Sequence, residues 1–342
     1  MVDEISFSLV SILVIMGISL AFAIGANDET LSALVGAGVI KFRIALIVGG
    51  IATAFGMILF SQNVGKTVGE DILGSGVKYT DFMLLAVLIS SIIWLIIGSL
   101  AGIPLSSTHS TVGSIFGVLI VYALSQGGIN LESALNYDKL LEVVLGWFFS
   151  PALGLLVTFI IFKIVAKFYL SRLRGLNQIE KAEKNFNWLL LVTVIFAEIW
   201  VGANSAECIG IFYGIYSSNF ITIEQYWISV IICGIFVFLG IFFAGRFVIR
   251  NLASHMTNAR PSEGVILQSS SALILMIATF LGLPISHSHV IVFCIIGLNL
   301  SQKKEIDKKG ILKMGLYWVL TFPVAAILAG LLYWIFIFFG LS

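Results

Sequence analysis

Charged side chains are scarce in this chain: they fill 11% of its 342 positions, where a soluble domain carries about 25%. Hydrophobic residues fill 59% and the mean hydropathy is +1.07. That balance excludes a water-soluble fold, which could not cover so much apolar surface. Cysteine is nearly absent. Cys208, Cys233 and Cys294 each lie in an apolar run without metal-type spacing, which excludes a disulfide framework and leaves buried free thiols as the expectation. A cationic leader is missing too: Asp3 and Glu4, not Lys or Arg, precede the first apolar run, so that run reads as a retained first span and not a secretory signal. No nucleotide-binding phosphate loop and no Ser-His-Asp pattern stands out. The residues therefore call for no enzyme, no cofactor and no nucleic-acid partner.

What is present is a series of bilayer-length apolar runs, among them Phe82–Leu100, Trp188–Trp200, Trp227–Ala244 and Val324–Phe339. The series counts to ten crossings, at about 7–40, 44–61, 82–101, 110–124, 140–162, 188–212, 227–244, 265–283, 288–300 and 314–339. The intervening segments alternate in charge. Segments 41–43, 163–187, 245–263 and 301–313 hold 16 of the 19 Lys and Arg, while Lys66, Lys78 and Lys139 are the three on the other side. The positive-inside rule places the first set in the cytoplasm and both termini outside. Trp94, Trp147, Trp188, Trp227, Trp318 and Trp334 read as lipid-facing or interfacial anchors.

Landmarks recur in order along the chain. Gly25-Ala26-Asn27-Asp28 is answered 177 residues later by Gly202-Ala203-Asn204-Ser205. Gly65-Lys66-Thr67-Val68 is answered by Gly245-Arg246-Phe247-Val248, and Gly102 to His109 by Gly282 to His289, both at an offset of 180. Trp147…Pro151 is answered by Trp318…Pro323. The division is repeat 1 over 1–162, a basic cytoplasmic linker over 163–187, and repeat 2 over 188–342. Five spans is an odd number, so the second copy must enter the membrane from the opposite side. The expected fold is an all-α polytopic membrane protein of two inverted-topology repeats, with broken or re-entrant helices at the midplane.

Three features carry candidate chemistry. The first run is too long for one straight span, since 34 residues rise about 50 Å against a core of about 30 Å. Gly25 and Asn27-Asp28-Glu29 mark where it breaks, and acids at that depth are functional candidates. Pro104 and Pro284 each end an apolar run and precede hydroxyls, Ser106-Ser107-Thr108 and Ser286 with Ser288. Such residues cap a following helix, whose free N–H groups form an anion site. Finally, the charges within spans are all acidic: Asp28, Glu29, Glu142, Glu198 and Glu207. An oxyanion there needs cations to balance it, which argues for symport. Glu142 and Glu198 fall near predicted span ends, and for Glu142 interfacial solvation is the simpler reading. His109, His287 and His289 lack carboxylate or Cys partners at ligand spacing, so no transition-metal site is expected.

Together the GAND element, the doubled Pro-Ser-x-x-His element, Gly245-Arg246 and Trp147-x-x-x-Pro151 resemble the inorganic phosphate transporter family over about residues 15 to 335. The resemblance implies a helical inverted-repeat transporter that imports inorganic phosphate across the plasma membrane with Na+ or H+ as coupling ion, as a homodimer. It implies substrate contacts from Asn27, Ser106, Ser107, Thr108, Asn204, Ser286, His287 and Ser288. It implies a cation site at Asn27, Asp28, Asn204 and Ser205, with His109 and His289 in support. This chain departs from the pattern at Ser205, where the family has a carboxylate that Glu207 could partly replace. Thr53 and Gln268 stand where the family usually shows Glu, and His287 where it has a hydroxyl, able to donate to the anion or titrate near neutral pH. Those departures leave sulfate or another tetrahedral oxyanion as an alternative substrate. A passive channel and a membrane-embedded His-x-His enzyme are further readings.

Overall fold

The computed structural model describes residues 2–28, 30–36, 38–101, 105–125, 130–250, 260–306 and 308–341. Among them the chain is helical, apart from one antiparallel bridge between Leu73 and Leu135. The order is α1 (Val2–Ala26), α2 (Ser32–Gly36), α3 (Phe42–Phe60), α4 (Gln62–Lys66) with a π-helical continuation at Thr67–Asp71, α5 (Asp81–Ala101), α6 (Ser107–Ser125), α7 (Leu131–Ala134) and α8 (Tyr137–Phe168). The second half follows with α9 (Leu176–Asn204), α10 (Glu207–Ser217), α11 (Ile223–Gly240) continuing as a π segment at Ile241–Gly245, α12 (Pro261–Phe280), α13 (His287–Gln302) and α14 (Lys308–Phe338).

Nine helical stretches among the described residues are long and apolar enough to cross a membrane, and α13 is a shorter apolar helix. The expected break in the first run is present: α1 ends at Ala26, just ahead of Asn27-Asp28. The other half breaks likewise, α9 ending at Asn204 and α10 starting at Glu207. The stretch read as a linker, 163–187, is helical almost throughout, because α8 runs on to Phe168 and α9 begins at Leu176. The turn between them uses Gly175 at φ 80°, a conformation that costs glycine little. Mixed charges do not prevent helix beyond the bilayer, where water solvates them.

Burial is reversed from the soluble pattern. Ile51, Phe148, Phe149, Ile160, Leu331 and Phe338 face outward, whereas Ser90, Thr111, Ser114, Ser270 and Ser271 are buried. Lipid accepts the first group, and internal hydrogen bonds satisfy members of the second: Ser90 donates to the Ala325 carbonyl at 3.0 Å and Ser114 to that of Ser110 at 2.8 Å.

The halves interdigitate. α1 packs chiefly on α11, and α9 on α3 as well as on α12 of its own half; α6 packs on α14 and α13 on α8. In each pairing a glycine lies directly against a backbone carbonyl of the other half: Gly25 on Val237, Gly202 on Thr53, Gly117 on Ala326 and Gly297 on Leu155. A methyl group at any of these points would overlap that carbonyl. In lipid, where apolar area alone does not drive helices together, this close approach is what lets them associate.

Two tryptophan expectations change. Trp188, Trp227 and Trp334 are exposed as anchors should be, but Trp147 and Trp318 are only 9% and 7% exposed. Each lies tilted against a histidine inside the bundle, Trp147 on His109 and Trp318 on His289. Trp94 is half-buried and donates to Thr321 Oγ1 at 3.2 Å. All three cysteines are buried free thiols.

Candidate functional site

The two interrupted runs place polar side chains where helices start. Ser106 precedes α6, and its Oγ accepts from the His109 N–H at 3.2 Å. Ser286 is the N-cap of α13 and accepts from the His289 N–H at 3.4 Å. Each hydroxyl satisfies one of the orphan donors of a helix start. Pro104 and Glu29 lie outside the described residues. Asn27, Asp28, Ser106, Ser107, Thr108, His109, Asn204, Ser205, Glu207, Ser286, Ser288 and His289 are all buried; His287 is half-buried.

The two asparagines act alike. Asn27 Nδ2 donates to the Leu105 carbonyl, and the Leu105 N–H reaches Asn27 Oδ1 at 3.4 Å. Asn204 Nδ2 donates to the Leu283 carbonyl at 3.0 Å and to Thr279 Oγ1 at 3.1 Å, while the Ile285 N–H donates to Asn204 Oδ1 at 3.0 Å. Both amides thus tie the interrupted backbone of their own half. Backbone leaving a helix at membrane depth has no water to satisfy it, and a fixed amide supplies the missing partners. The asparagines expected to contact substrate are hydrogen-bonded here to backbone of their own half.

The acids do the opposite and reach across. Glu207 Oε1, from the second half, accepts from Ser107 Oγ at 3.0 Å and Thr108 Oγ1 at 2.6 Å, both in the first half. Thr108 Oγ1 also lies 3.3 Å from the Ile285 carbonyl, just ahead of α13. Asp28, from the first half, takes the Thr30 N–H at 2.9 Å and stands 4.0 Å from His287 Nε2 of the second. The starts of α6, α10 and α13 therefore meet at one place. Two buried polar atoms there, Glu207 Oε2 and Ser288 Oγ, have no hydrogen-bond partner among the described residues. The side chains named here include no Lys or Arg.

Beside these helix starts lies a row of four rings, each tilted against the next. His109 sits 3.9 Å from Trp147 and 4.7 Å from His289, which sits 4.0 Å from Trp318. Trp147 Nε1 donates to the Pro284 carbonyl at 3.0 Å, and His109 Nδ1 is 2.6 Å from Ser106 Oγ. Trp147 and Trp318 read from sequence as boundary anchors, and the paired spacing to Pro151 and Pro323 is the signal that sets them apart from the exposed tryptophans. Because α9 continues to Asn204, Glu198 lies deep in the bundle, 0% exposed, with Thr53 Oγ1 at 2.8 Å from its Oε2. Glu142 is exposed and pairs with Lys139 at 3.1 Å, and Ser205 lies buried in the break between α9 and α10.

Comparison with known proteins gives the family and the fold. Residues 24–329 match the profile of the phosphate transporter family. A Pyrococcus furiosus protein named as a phosphate permease is 27% identical over 94% of this chain and 95% of its own. A Bacillus subtilis protein named as a low-affinity inorganic phosphate transporter is 27% identical over 97% and 98%. Among solved structures, one titled as the sodium-dependent phosphate transporter superposes with a TM-score of 0.86 at 24% identity, covering 97% of this chain and 99% of that one; that likeness establishes the fold.

Proposed function

The chain belongs to the phosphate transporter family, and from that premise we propose that it is a cation-coupled symporter carrying inorganic phosphate across the plasma membrane. One observation carries the coupling: the Ser107 and Thr108 hydroxyls, the donors best placed for an oxyanion, are both given to Glu207 from the other half. Each hydroxyl has a single hydrogen. While Glu207 is ionised it holds those hydrogens and repels a phosphate. A cation bound at its second oxygen lowers that repulsion and frees the hydroxyls to turn to the anion.

The anion then draws on the N-termini of α6 and α13, whose N–H groups and dipole favour negative charge without any basic side chain. Ser106 and Ser286 serve as caps, Asn27 and Asn204 hold the two breaks in register, and Ser107, Thr108 and Ser288 supply the mobile donors. Asp28 with Thr30 forms the first-half counterpart of the Glu207 site, and Ser205 adds a hydroxyl beside the second. His287 supports phosphate in its protonated form, where it adds a donor beside Asp28. The two halves, 1–162 and 188–342, are copies of inverted topology that rock about this point, with the basic segment 163–187 in the cytoplasm.

Purified protein in liposomes, given radiolabelled phosphate with sodium and pH gradients imposed separately, tests the reading. Saturable uptake that needs one of the cation gradients, and that excess sulfate does not suppress, is the expected result. Uptake that persists without any gradient, or sulfate competing as well as phosphate, overturns it.

A further inference from the structure

The sulfur atoms of Met57, Cys208 and Cys233 meet inside the bundle. Cys208 Sγ lies 3.8 Å from Met57 Sδ and within hydrogen-bond reach of the Cys233 thiol. Met57 stands on α3 of the first half, Cys208 in the first turn of α10 and Cys233 on α11. Three helices thus supply one sulfur each, and the halves touch through them. All three side chains are 0% exposed, and both cysteines are free thiols. Glu207 precedes Cys208, but successive residues of a helix point about 100° apart. Its Oε1 is taken by Ser107 and Thr108 on α6, so the sulfurs form a cluster of their own.

The spacing suits a shared ion. Three sulfurs bound to one metal at about 2.3 Å each stand about 4.0 Å from one another in a trigonal plane. The edge between Cys208 and Met57 already has that size. What the ion would displace is weak, because a thiol is a poor donor and a thioether a poor acceptor.

The donor set also selects the metal. Thiolate and thioether sulfurs are soft and favour monovalent copper, with silver as its closest chemical analogue. Zinc wants four ligands drawn from thiolate, imidazole and carboxylate, and among the described residues no three His, Cys, Asp or Glu gather at one point. Sodium and other hard cations prefer oxygen, so they do not compete here. Binding is a ligand exchange: the ion takes the Cys208 sulfur, the thiol proton leaves to the medium, and Cys233 and Met57 add sulfur lone pairs. A monovalent ion that replaces one proton adds no net charge to the apolar interior.

We propose that Met57, Cys208 and Cys233 form a binding site for a soft monovalent metal ion of the copper(I) class, distinct from the polar cluster of Ser107, Thr108 and Glu207. When filled it ties α3 of the first half to α10 and α11 of the second.

Silver(I) is the probe, since it shares the chemistry of copper(I) and undergoes no redox change. The full chain, purified in detergent and freed of reductant, is incubated with silver nitrate until its metal content is constant. It is then washed with free methionine, which strips ions held by a single thioether. By elemental analysis the wild type is expected to keep one silver per chain more than the double variant Cys208→Ser with Cys233→Ser. Silver should raise the melting temperature of the wild type and leave that of the double variant unchanged. Equal retention by the two proteins, or an equal shift in melting temperature, overturns the proposal. X-ray absorption at the silver edge, with the protein loaded to one equivalent, reads the ligands directly. Three sulfurs are expected in the wild type and two in Met57→Leu, a swap of similar volume that the core tolerates. A shell containing oxygen or nitrogen, or a sulfur count that Met57→Leu does not lower, also overturns it. Should the double variant not assemble, this last comparison decides alone.

Discussion

The breaks after α1 and after α9 use the same clamp and different acids. Asn27 and Asn204 both bind the backbone of their own half through both ends of the amide. The acid adjoins the asparagine in the first break, as Asp28, but stands three positions beyond it in the second, as Glu207 after Ser205. A backbone at membrane depth tolerates little change in what satisfies it, whereas a carboxylate need only arrive at the right place. The two breaks are thus held alike by amides and differ in where the acid stands.

Removing a clamp should have the largest effect. Asn204→Ala orphans the Ile285 N–H and the Leu283 carbonyl, at about 1–3 kcal/mol for each group, and should abolish uptake while lowering the unfolding temperature in detergent. Asn27→Ala should behave alike; if one clamp proves dispensable for both uptake and stability, the equivalence of the breaks is lost. The acids should separate the copies. Glu207→Gln is expected to raise the half-saturating cation concentration about 10–100-fold, about 1.4–2.8 kcal/mol, because it removes the carboxylate charge that would hold the cation. Asp28→Asn should cost less, since an Asn side-chain oxygen still accepts from Thr30. Equal and negligible effects in cation titrations would argue against any ion at either break. A Ser205→Asp change that partly restores cation dependence to Glu207→Ala would sharpen the comparison. The smallest effect is expected in the ring stack: Trp318→Leu should lose about 0.5–1.5 kcal/mol of ring–ring contact, seen as a lower melting temperature with cation affinity unchanged.

Much of this was legible from composition and spacing. Long apolar runs, the interrupted first span, and serines capping α6 and α13 follow from length, proline placement and local hydrogen bonding, which act over a few residues. The places of Trp147, Trp318 and Glu198 in the bundle were not legible. An indole reads the same at the lipid boundary as against a histidine, and only the fold brings His109 and His289 to 4.7 Å. Glu198 reads as near an end because the apolar run Trp188–Trp200 stops two residues after it, whereas α9 starts at Leu176 and carries on to Asn204.

The sequence by itself determined that this chain lives in a bilayer and that the charges within its spans are acids, since each follows from the cost of placing particular side chains in hydrocarbon. Tertiary structure alone decided which half each acid serves. Glu207 meets Ser107 and Thr108 about one hundred residues away, and Glu198 meets Thr53 at a separation of 145. Such pairings depend on helices of one half packing against the other through glycine–carbonyl contacts, and no local pattern encodes which helix will be the neighbour.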